Sequence, residues 1–164
     1  MIHPARQRFG FPPAPPSNAS YSEDIPLRAS RGMEFLDITD SVKAIIARSS
    51  VSFGMVNIQT RHTTAAVLVN ENESLLLQDL EDTLDRLAPA SANYRHDDLS
   101  IRTENLVPNE PENGHAHCKA LFLPPSILLN MYNRELQLGQ WQRIFFLELD
   151  RPRNRTVSIQ VLGL

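Results

Sequence analysis

Four of the five histidines lie in the body of the chain, each beside a polar, turn-like stretch: His62, His96, His115 and His117. A single residue separates the last two, and the run at 115–123 reads as a β-strand. Side chains two residues apart in a strand lie on the same face of a sheet. Imidazoles that meet at strand ends can bind a metal ion or act as an acid and a base. The spacing therefore indicates an imidazole-lined site.

Three converging imidazoles would leave an open position for water or substrate on a bound metal ion. Glu71, at the far end of the strand that follows His62, would then serve as a general base or a fourth ligand. The spacing matches neither H-E-x-x-H nor paired C-x-x-C, and a histidine taken alone is more often an ordinary hydrogen-bonded residue. A metal-free acid/base or anion-binding pocket is the alternative.

Basic side chains cluster towards the C-terminus: Lys119, Arg143, Arg151, Arg153 and Arg155. One residue separates Arg153 from Arg155, so an extended backbone places both guanidinium groups on one side, an arrangement that suits phosphate. The alternative is that these arginines lie in solvent at the end of a hairpin and bind no ligand. For Arg151 we prefer this alternative. Cys118 alternates with its two basic neighbours along the predicted strand, so we expect its thiol to be buried and unreactive.

Short strands and two principal helices would position these side chains. Strands are predicted at 25–29, 33–36, 53–59, 65–70, 115–123, 126–131, 135–138, 142–150 and 155–162. One helix is capped by Asp37 or Thr39, and the other covers about 73–87 with leucines at helical spacing. Residues 90–114 read as a functional loop, since structureless loops of that length are uncommon unless they bind something. The order of elements predicts an α+β fold with a mostly antiparallel sheet or sandwich.

Composition favours one compact domain. The chain has 164 residues, of which 41% are hydrophobic, and this suits a single core over 22–164. Residues 1–21 hold five prolines and are predicted to be a disordered tail. A net charge of −3 provides no basic field for nucleic acid or an anionic membrane. A single cysteine, with no apolar stretch that suits a membrane span or a signal peptide, predicts a cytoplasmic protein.

Five short motifs occur in an order and at a spacing that resemble the YjbQ family, also called UPF0047 or the secondary thiamine-phosphate synthase family. They are His62-Thr63-Thr64-Ala65-Ala66, Asn70-Glu71, Tyr94-x-His96, His115-Ala116-His117-x-Lys119 and Leu138-Gly139-x-Trp141-Gln142. The resemblance spans about 22–164. It implies a small α+β domain with a β-sandwich, assembled as a homotrimer. The reaction it implies joins a hydroxymethylpyrimidine diphosphate to a thiazole phosphate and releases pyrophosphate.

The resemblance also implies a polar pocket for a small phosphorylated metabolite. It gives His62, His96 and His117 as ligands of a divalent metal ion, Zn²⁺ or Mg²⁺, and leaves any other cofactor open. The catalytic candidates it implies are Glu71, His62 and His96. The candidates for binding substrate or phosphate are Lys119, Ser126, Gln142, Arg153 and Arg155. Two other functions stay open: a non-enzymatic trimer that holds a metal ion or a phosphometabolite, and a metal-dependent hydrolase with another main substrate.

Two turns depart from the family pattern. Pro124 and Pro125 replace the usual Gly-Ser-like turn, and because proline has no N–H, they remove backbone donors that an anion would contact there. Asn133-Arg134 replaces the usual Asn-Gly or Asp-Gly hairpin and is expected to be a poorer turn.

Overall fold

The computed structural model describes residues 19–164. Residues 1–18, most of the predicted tail, lie outside the described residues, and the first strand begins three residues before the expected domain boundary. The strands are β1 (Ala19–Arg28), β2 (Glu34–Asp37), β3 (Phe53–Thr60), β4 (Ala65–Glu71), β5 (Ser126–Tyr132), β6 (Glu135–Leu136), β7 (Gln142–Glu148) and β8 (Asn154–Gly163). The helices are α1 (Thr39–Arg48), α2 (Ser74–Leu87) and α3 (Gly114–Ala120), with one 3-10 turn at Arg95–Asp97.

The strands form two sheets. One has five strands in the order β1-β8-β3-β5-β6, and the other has three in the order β2-β7-β4. All the strand pairs are antiparallel. Together with the helices, this arrangement confirms the predicted α+β fold.

The main core lies between the two sheets. Along β8, Val157, Ile159 and Val161 are buried while the residues between them are more exposed, as period-two alternation requires. Phe146 belongs to the same core and comes from the three-stranded sheet. Helix α1 adds one buried stripe, made of Val42, Ile45 and Ile46. Each of these aliphatic side chains stabilises the fold by about 1.5–3 kcal/mol relative to an exposed position.

The three-stranded sheet is also covered on its other face, by α2 and α3. Leu147 and Leu149 pack there with Leu84 of α2 and Ala116 of α3. Because both faces of β7 are covered, its residues 144–148 are all buried. This packing fixes α3 against the sheet, beside the end where β4 begins.

Most of the segment 115–123 is a helix, so the prediction of a strand there is wrong. Ala116 and Lys119 are three residues apart and both buried, which is the spacing of one helix face. The helix holds two alanines, Ala116 and Ala120, and no β-branched residue. Alanine is the strongest helix former, so local propensity agrees with the observed conformation.

Because this segment is a helix, the side chains of His115, His117 and Cys118 point in different directions from those that a strand would give. Residues two apart on an α-helix are rotated by about 200° around its axis, so His115 and His117 do not share a face. The thiol of Cys118 is exposed, contrary to the prediction, because strand alternation does not apply to a helix. The sequence-based pairing of the two histidines on one face is therefore wrong.

Several strand ends differ from the predicted ones. The strand predicted at 135–138 ends at Leu136, and the one predicted at 142–150 ends at Glu148. Asn133 and Arg134 have φ angles of 51° and 64°, so this unfavourable sequence still forms the left-handed two-residue turn of a hairpin. No helix within residues 19–164 has the length and apolar character needed to cross a membrane.

Candidate functional site

A cavity of about 460 Å³ lies beside the starts of β4 and β8. Three histidines line it: His62, His96 and His117. Four arginines line it as well: Arg61, Arg102, Arg153 and Arg155. The structure thus brings together the three imidazoles and the two C-terminal arginines that the sequence singled out. The volume lies in the range of about 300–1,000 Å³ that is typical of small-molecule sites.

His96 and His117 form a pair on one wall of the cavity. Their ring centroids are 4.7 Å apart and the ring planes meet at 62°. Burial, together with the neighbouring His96, lowers the pKa of His117 below its ordinary value of 6.5. At neutral pH the His117 imidazole is therefore uncharged and presents a lone pair.

His62 lines the cavity from the turn that precedes β4. Its Nε2 accepts a hydrogen bond from the backbone N–H of Thr156 at 3.2 Å. Burial and the nearby Arg155 lower the pKa of His62. Within residues 19–164, no group of three or more His, Cys, Asp or Glu side chains is arranged to hold a metal ion. The three imidazoles share one cavity without forming a three-histidine metal centre.

Arg155 is held by a buried ion pair with Glu148. Its Nη2 donates to Glu148 Oε1 at 2.7 Å and to Thr64 Oγ1 at 2.9 Å, and its Nε donates to Glu148 Oε2. The two charged side chains are 6% and 0% exposed. A bidentate pair of this kind holds the guanidinium group in one orientation at the cavity wall.

Asp150 links Arg153 to Asn113. Its Oδ2 lies 2.8 Å from Nη2 of Arg153 and accepts a bond from Nδ2 of Asn113 at 3.4 Å. Its Oδ1 accepts a bond from Nε of Arg151 at 3.1 Å. The carboxylate is almost completely buried. One carboxylate therefore sets the positions of two cavity residues that come from different parts of the chain.

Arg102 fastens the segment between α2 and α3. Its guanidinium donates to the carbonyl oxygens of His96 (3.2 Å), Glu104 (3.2 Å) and Asn105 (3.1 Å). It also forms an ion pair with Glu110 at 3.0 Å, and both side chains are largely buried. These partners occupy most of its N–H groups, so Arg102 is a positioning residue rather than a free anion ligand.

Two of the predicted site residues, Glu71 and Gln142, lie far from the histidines. They are at the opposite end of the three-stranded sheet from His62. They pair with each other across β4 and β7. His62 precedes β4 whereas Glu71 is its last residue, and seven extended residues span roughly 20 Å. The idea that Glu71 acts as a base or ligand beside the three histidines therefore does not hold within this chain.

Lys119 and Ser126 also lie outside the cavity lining. Lys119 is 1% exposed, and its Nζ binds Asp85 Oδ1 of α2 at 3.1 Å. Its ammonium group thus faces α2 and not a phosphate in the cavity. Ser126 is the first residue of β5, where it pairs with Gln59.

The fold and the motifs around the cavity match one protein family. The model of the family described as UPF0047 protein YjbQ-like matches residues 23–164. The chain belongs to the YjbQ/UPF0047 family. A UPF0047 protein of Methanothermobacter thermautotrophicus is 39% identical to it over 143 residues, which cover 87% of this chain and 92% of that relative.

Solved structures of YjbQ-like proteins share the fold. A YbjQ-like protein of unknown function from Sulfolobus solfataricus has a TM-score of 0.81 at 31% identity, over 90% of this chain and 100% of that chain. An uncharacterized conserved protein of the YjbQ/UPF0047 family from Clostridium acetobutylicum has a TM-score of 0.73 at 33% identity, over 85% and 98% of the two chains. The family assignment made from the motifs is confirmed.

In this YjbQ-family chain, the segment predicted as a functional loop supplies cavity residues that the motifs did not include: Arg102, Asn105, Glu110 and Asn113. Asn113 occupies the N-cap position of α3, directly before a glycine and an alanine-containing run. Asparagine is a preferred N-cap, but the side chain of Asn113 makes no capping hydrogen bond here, so the residue type alone is too weak a local signal to predict the helix. No local pattern separates the other three from ordinary surface residues.

The fold is expected to lose stability as the pH falls below about 6.5, the ordinary pKa of histidine. Burial is the largest cause that lowers the pKa of His62, His115 and His117 from 6.5. Above that value the imidazoles are neutral in both states. Below it the unfolded chain takes up protons first, which favours unfolding until the folded histidines are also protonated. Urea unfolding at several pH values measures this loss, and His117→Asn should reduce it. If His117→Asn lost as much stability at low pH as the unmodified chain, protonation of His117 would not be a cause of the loss.

Proposed function

We propose that this YjbQ-family chain binds a small phosphorylated metabolite in the histidine–arginine cavity. We further propose that it is a transferase of the secondary thiamine-phosphate synthase type. Such an enzyme joins a hydroxymethylpyrimidine diphosphate to a thiazole phosphate. The homotrimer and the cytoplasmic location expected from the sequence belong to the same proposal.

The observation that carries the proposal is the pair of pre-positioned guanidinium groups, Arg153 and Arg155, on one cavity wall. Each is oriented by a buried carboxylate, Asp150 or Glu148. The bonds of Arg155 use Nε and Nη2, which leaves the N–H groups of Nη1 outside the pairing. Guanidinium groups fixed in this way can grip phosphate oxygens with little further ordering.

The proposed reaction places its developing negative charge beside these groups. The bond between the pyrimidine methylene carbon and the diphosphate oxygen breaks, and its electron pair leaves with the pyrophosphate. The thiazole nitrogen uses its lone pair to form the new C–N bond. Preorganised cations stabilise charge that develops on a leaving group. Arg153 and Arg155 would do this, while His62 and His96, which line the same cavity, would donate hydrogen bonds to the pyrophosphate.

The proposal gives no role in this cavity to Glu71, Lys119, Ser126 or Gln142, since none of them lines it. The metal site predicted from His62, His96 and His117 does not fit the observed arrangement either. Nε2 of His62 is already bonded to Thr156, and the three imidazoles form no metal-holding group within the described part of the chain. No step of the proposed reaction passes through a metal ion.

Titration of the purified full-length chain with pyrophosphate tests the binding, and a turnover assay with both phosphorylated substrates tests the reaction. Arg153→Gln should weaken pyrophosphate binding about 10- to 100-fold, because it removes a charge-assisted contact. Arg143→Gln is the matched control. Arg143 does not line the cavity, and its Nε binds Asp37 Oδ2 at a distance of 2.7 Å. The Arg143→Gln variant should bind pyrophosphate with the same affinity as the unmodified chain.

Equal affinities in the two variants would contradict the assignment of the phosphate site. Binding that depends on Arg153 but gives no turnover would favour the non-enzymatic alternative, a protein that holds a phosphometabolite. Thermal unfolding of both variants shows whether a change in affinity reflects a change in the fold.

A further inference from the structure

The four arginines that line the histidine–arginine cavity differ in how firmly each is held. Arg102, Arg153 and Arg155 each pair with a carboxylate that is largely buried. Arg61 is different, because its side chain is 63% exposed and its ion-pair partner, Asp24 of β1, is 53% exposed. Arg61 is therefore the least constrained of the four guanidinium groups at the cavity.

The ion pair between Arg61 and Asp24 is weak. Nη2 of Arg61 donates to Oδ2 of Asp24 at 3.3 Å, whereas Arg155 makes a bidentate pair with Glu148. Ion pairs between exposed side chains contribute little to stability, so a ligand can replace Asp24 as the partner of Arg61 at small cost. The bond to Asp24 does not use Nε or Nη1 of Arg61, and these atoms keep the fork of N–H donors that suits a phosphate.

The backbone places Arg61 beside the proposed phosphate-binding arginines. Arg61 lies between β3 and β4, directly before His62. The ring of His62 accepts a hydrogen bond from the backbone N–H of Thr156 at 3.2 Å, and Thr156 directly follows Arg155. Burial and Arg155, with a smaller contribution from Arg61, lower the pKa of His62. Both guanidinium groups thus exert their charge on one imidazole, and all three side chains line the same cavity.

The charge of a diphosphate calls for a further cation. A phosphate monoester carries about −1.5 to −2 charges at pH 7, and a second phosphate group adds to that charge. Buried carboxylates already offset the charge of Arg153 and Arg155. The cavity volume of about 460 Å³ suits a small-molecule ligand and does not restrict it to one phosphate group. Arg61 is the cavity arginine best able to turn towards the second group.

We propose that Arg61 binds the second phosphate of a diphosphate ligand whose first phosphate lies against Arg153 and Arg155. Arg61 exchanges Asp24 for this phosphate, and the chain thereby selects diphosphates over monophosphates. This inference deepens the proposed function and rests on it, because it takes the two C-terminal arginines as the site of the first phosphate. It gives the cavity a specificity-determining residue that the C-terminal pair does not supply.

Calorimetric titration of the full-length chain with pyrophosphate and, separately, with inorganic phosphate tests the proposal, in a buffer that contains neither anion. Arg61→Gln should weaken pyrophosphate binding about 10-fold, because it removes a charge-assisted contact, and should change phosphate binding less than about twofold. Asp24→Asn should strengthen pyrophosphate binding about two- to fivefold, because it removes the anion that competes for Arg61.

Two further variants provide the controls. Arg48→Gln is matched to Arg61→Gln, because Arg48 is also an exposed arginine paired with a carboxylate of β1, Glu23, and it does not line the cavity. It should bind both anions as the unmodified chain does. Arg153→Gln should weaken the binding of both anions, because it removes a contact to the first phosphate.

The comparison of the two anions separates failure of this inference from failure of the proposed function. If Arg153→Gln weakens both anions but Arg61→Gln weakens both equally, or neither, the selective role of Arg61 is overturned and the phosphate site stands. If neither anion binds the unmodified chain, or Arg153→Gln changes nothing, the proposed phosphate site fails and the inference falls with it. Thermal unfolding should give the same midpoint for Arg61→Gln and the unmodified chain, since an exposed ion pair contributes little.

Discussion

Replacement of Arg155 by methionine is expected to lower the free energy of unfolding by about 3–5 kcal/mol. Methionine keeps an apolar stem of similar length but removes the guanidinium group. Glu148, whose side chain is 0% exposed, would then be a buried charge without its partner, and Thr64 would lose the donor to its hydroxyl oxygen. Breaking one side of a buried pair costs far more than the pair itself contributes, because the remaining charge is neither solvated nor paired.

The matched double variant Glu148→Gln/Arg155→Met separates this cause from lost packing. Glutamine removes the buried charge but keeps an acceptor for the backbone N–H of Asp150, which binds Glu148 Oε1 at 3.0 Å. The double variant should therefore recover most of the stability that Arg155→Met loses. Urea unfolding followed by circular dichroism measures all three chains.

An exposed ion pair provides the control. Arg48 binds Glu23 at 2.7 Å, but the two side chains are 50% and 36% exposed. Arg48→Met should change the unfolding free energy by less than about 1 kcal/mol, as exposed pairs do. Similar losses in Arg155→Met and Arg48→Met would show that burial of the Glu148 pair has no special energetic effect.

The strands of the sandwich could be predicted from the sequence because their burial pattern is local. Val157, Ile159 and Val161 alternate with more polar residues, and this pattern alone sets both the conformation and the buried face. The leucines of α2 give the same kind of information at helical spacing. In the strand the apolar residues recur every two residues, and in the helix they recur every three or four. Each spacing is repeated often enough to exclude the other conformation.

Helix α3 could not be assigned in this way. It has seven residues, too few for a periodic pattern to separate a helix from a strand. Its start is held by Asp97, which binds the backbone N–H of Asn113 from sixteen residues earlier in the chain. A contact over that distance is not visible as a local motif. The orientation of His117 towards His96 depends on it.

The candidate site was predictable only in part for the same reason. The sequence indicated the three histidines and two of the four arginines of the cavity, but not the buried carboxylates that orient those arginines. The motifs also grouped Glu71 with His62, although the two residues flank opposite ends of one strand.

Gly114→Ala is expected to destabilise the fold by about 1–3 kcal/mol, although this change usually stabilises a helical position. A Cβ at this position would lie 2.5 Å from Cβ of Tyr94 and 3.1 Å from Oδ2 of Asp97. Tyr94 cannot easily move away, because its hydroxyl donates to the carbonyl of Pro89 at 2.8 Å. The start of α3 must therefore shift, and the hydrogen bonds that the backbone N–H groups of Asn113 and Gly114 donate to Asp97 would be strained or lost.

The same shift moves Asn113 and His117 at the cavity wall. Asn113 donates to Asp150, which orients Arg153. We therefore expect Gly114→Ala to weaken pyrophosphate binding about 10-fold, beyond its effect on stability. Gly139→Ala is the matched control, since an added Cβ there meets only the side chain of Gln142, at 3.4 Å or more. Urea unfolding and pyrophosphate titration of both variants give the two readouts. An increase in stability in Gly114→Ala would mean that helix propensity outweighs the contact with Tyr94. Helix propensity predicts that Gly114→Ala raises the free energy of unfolding, whereas packing against Tyr94 predicts that it lowers it. This one variant therefore shows which of the two sets the position of α3 and of the cavity residues that α3 carries.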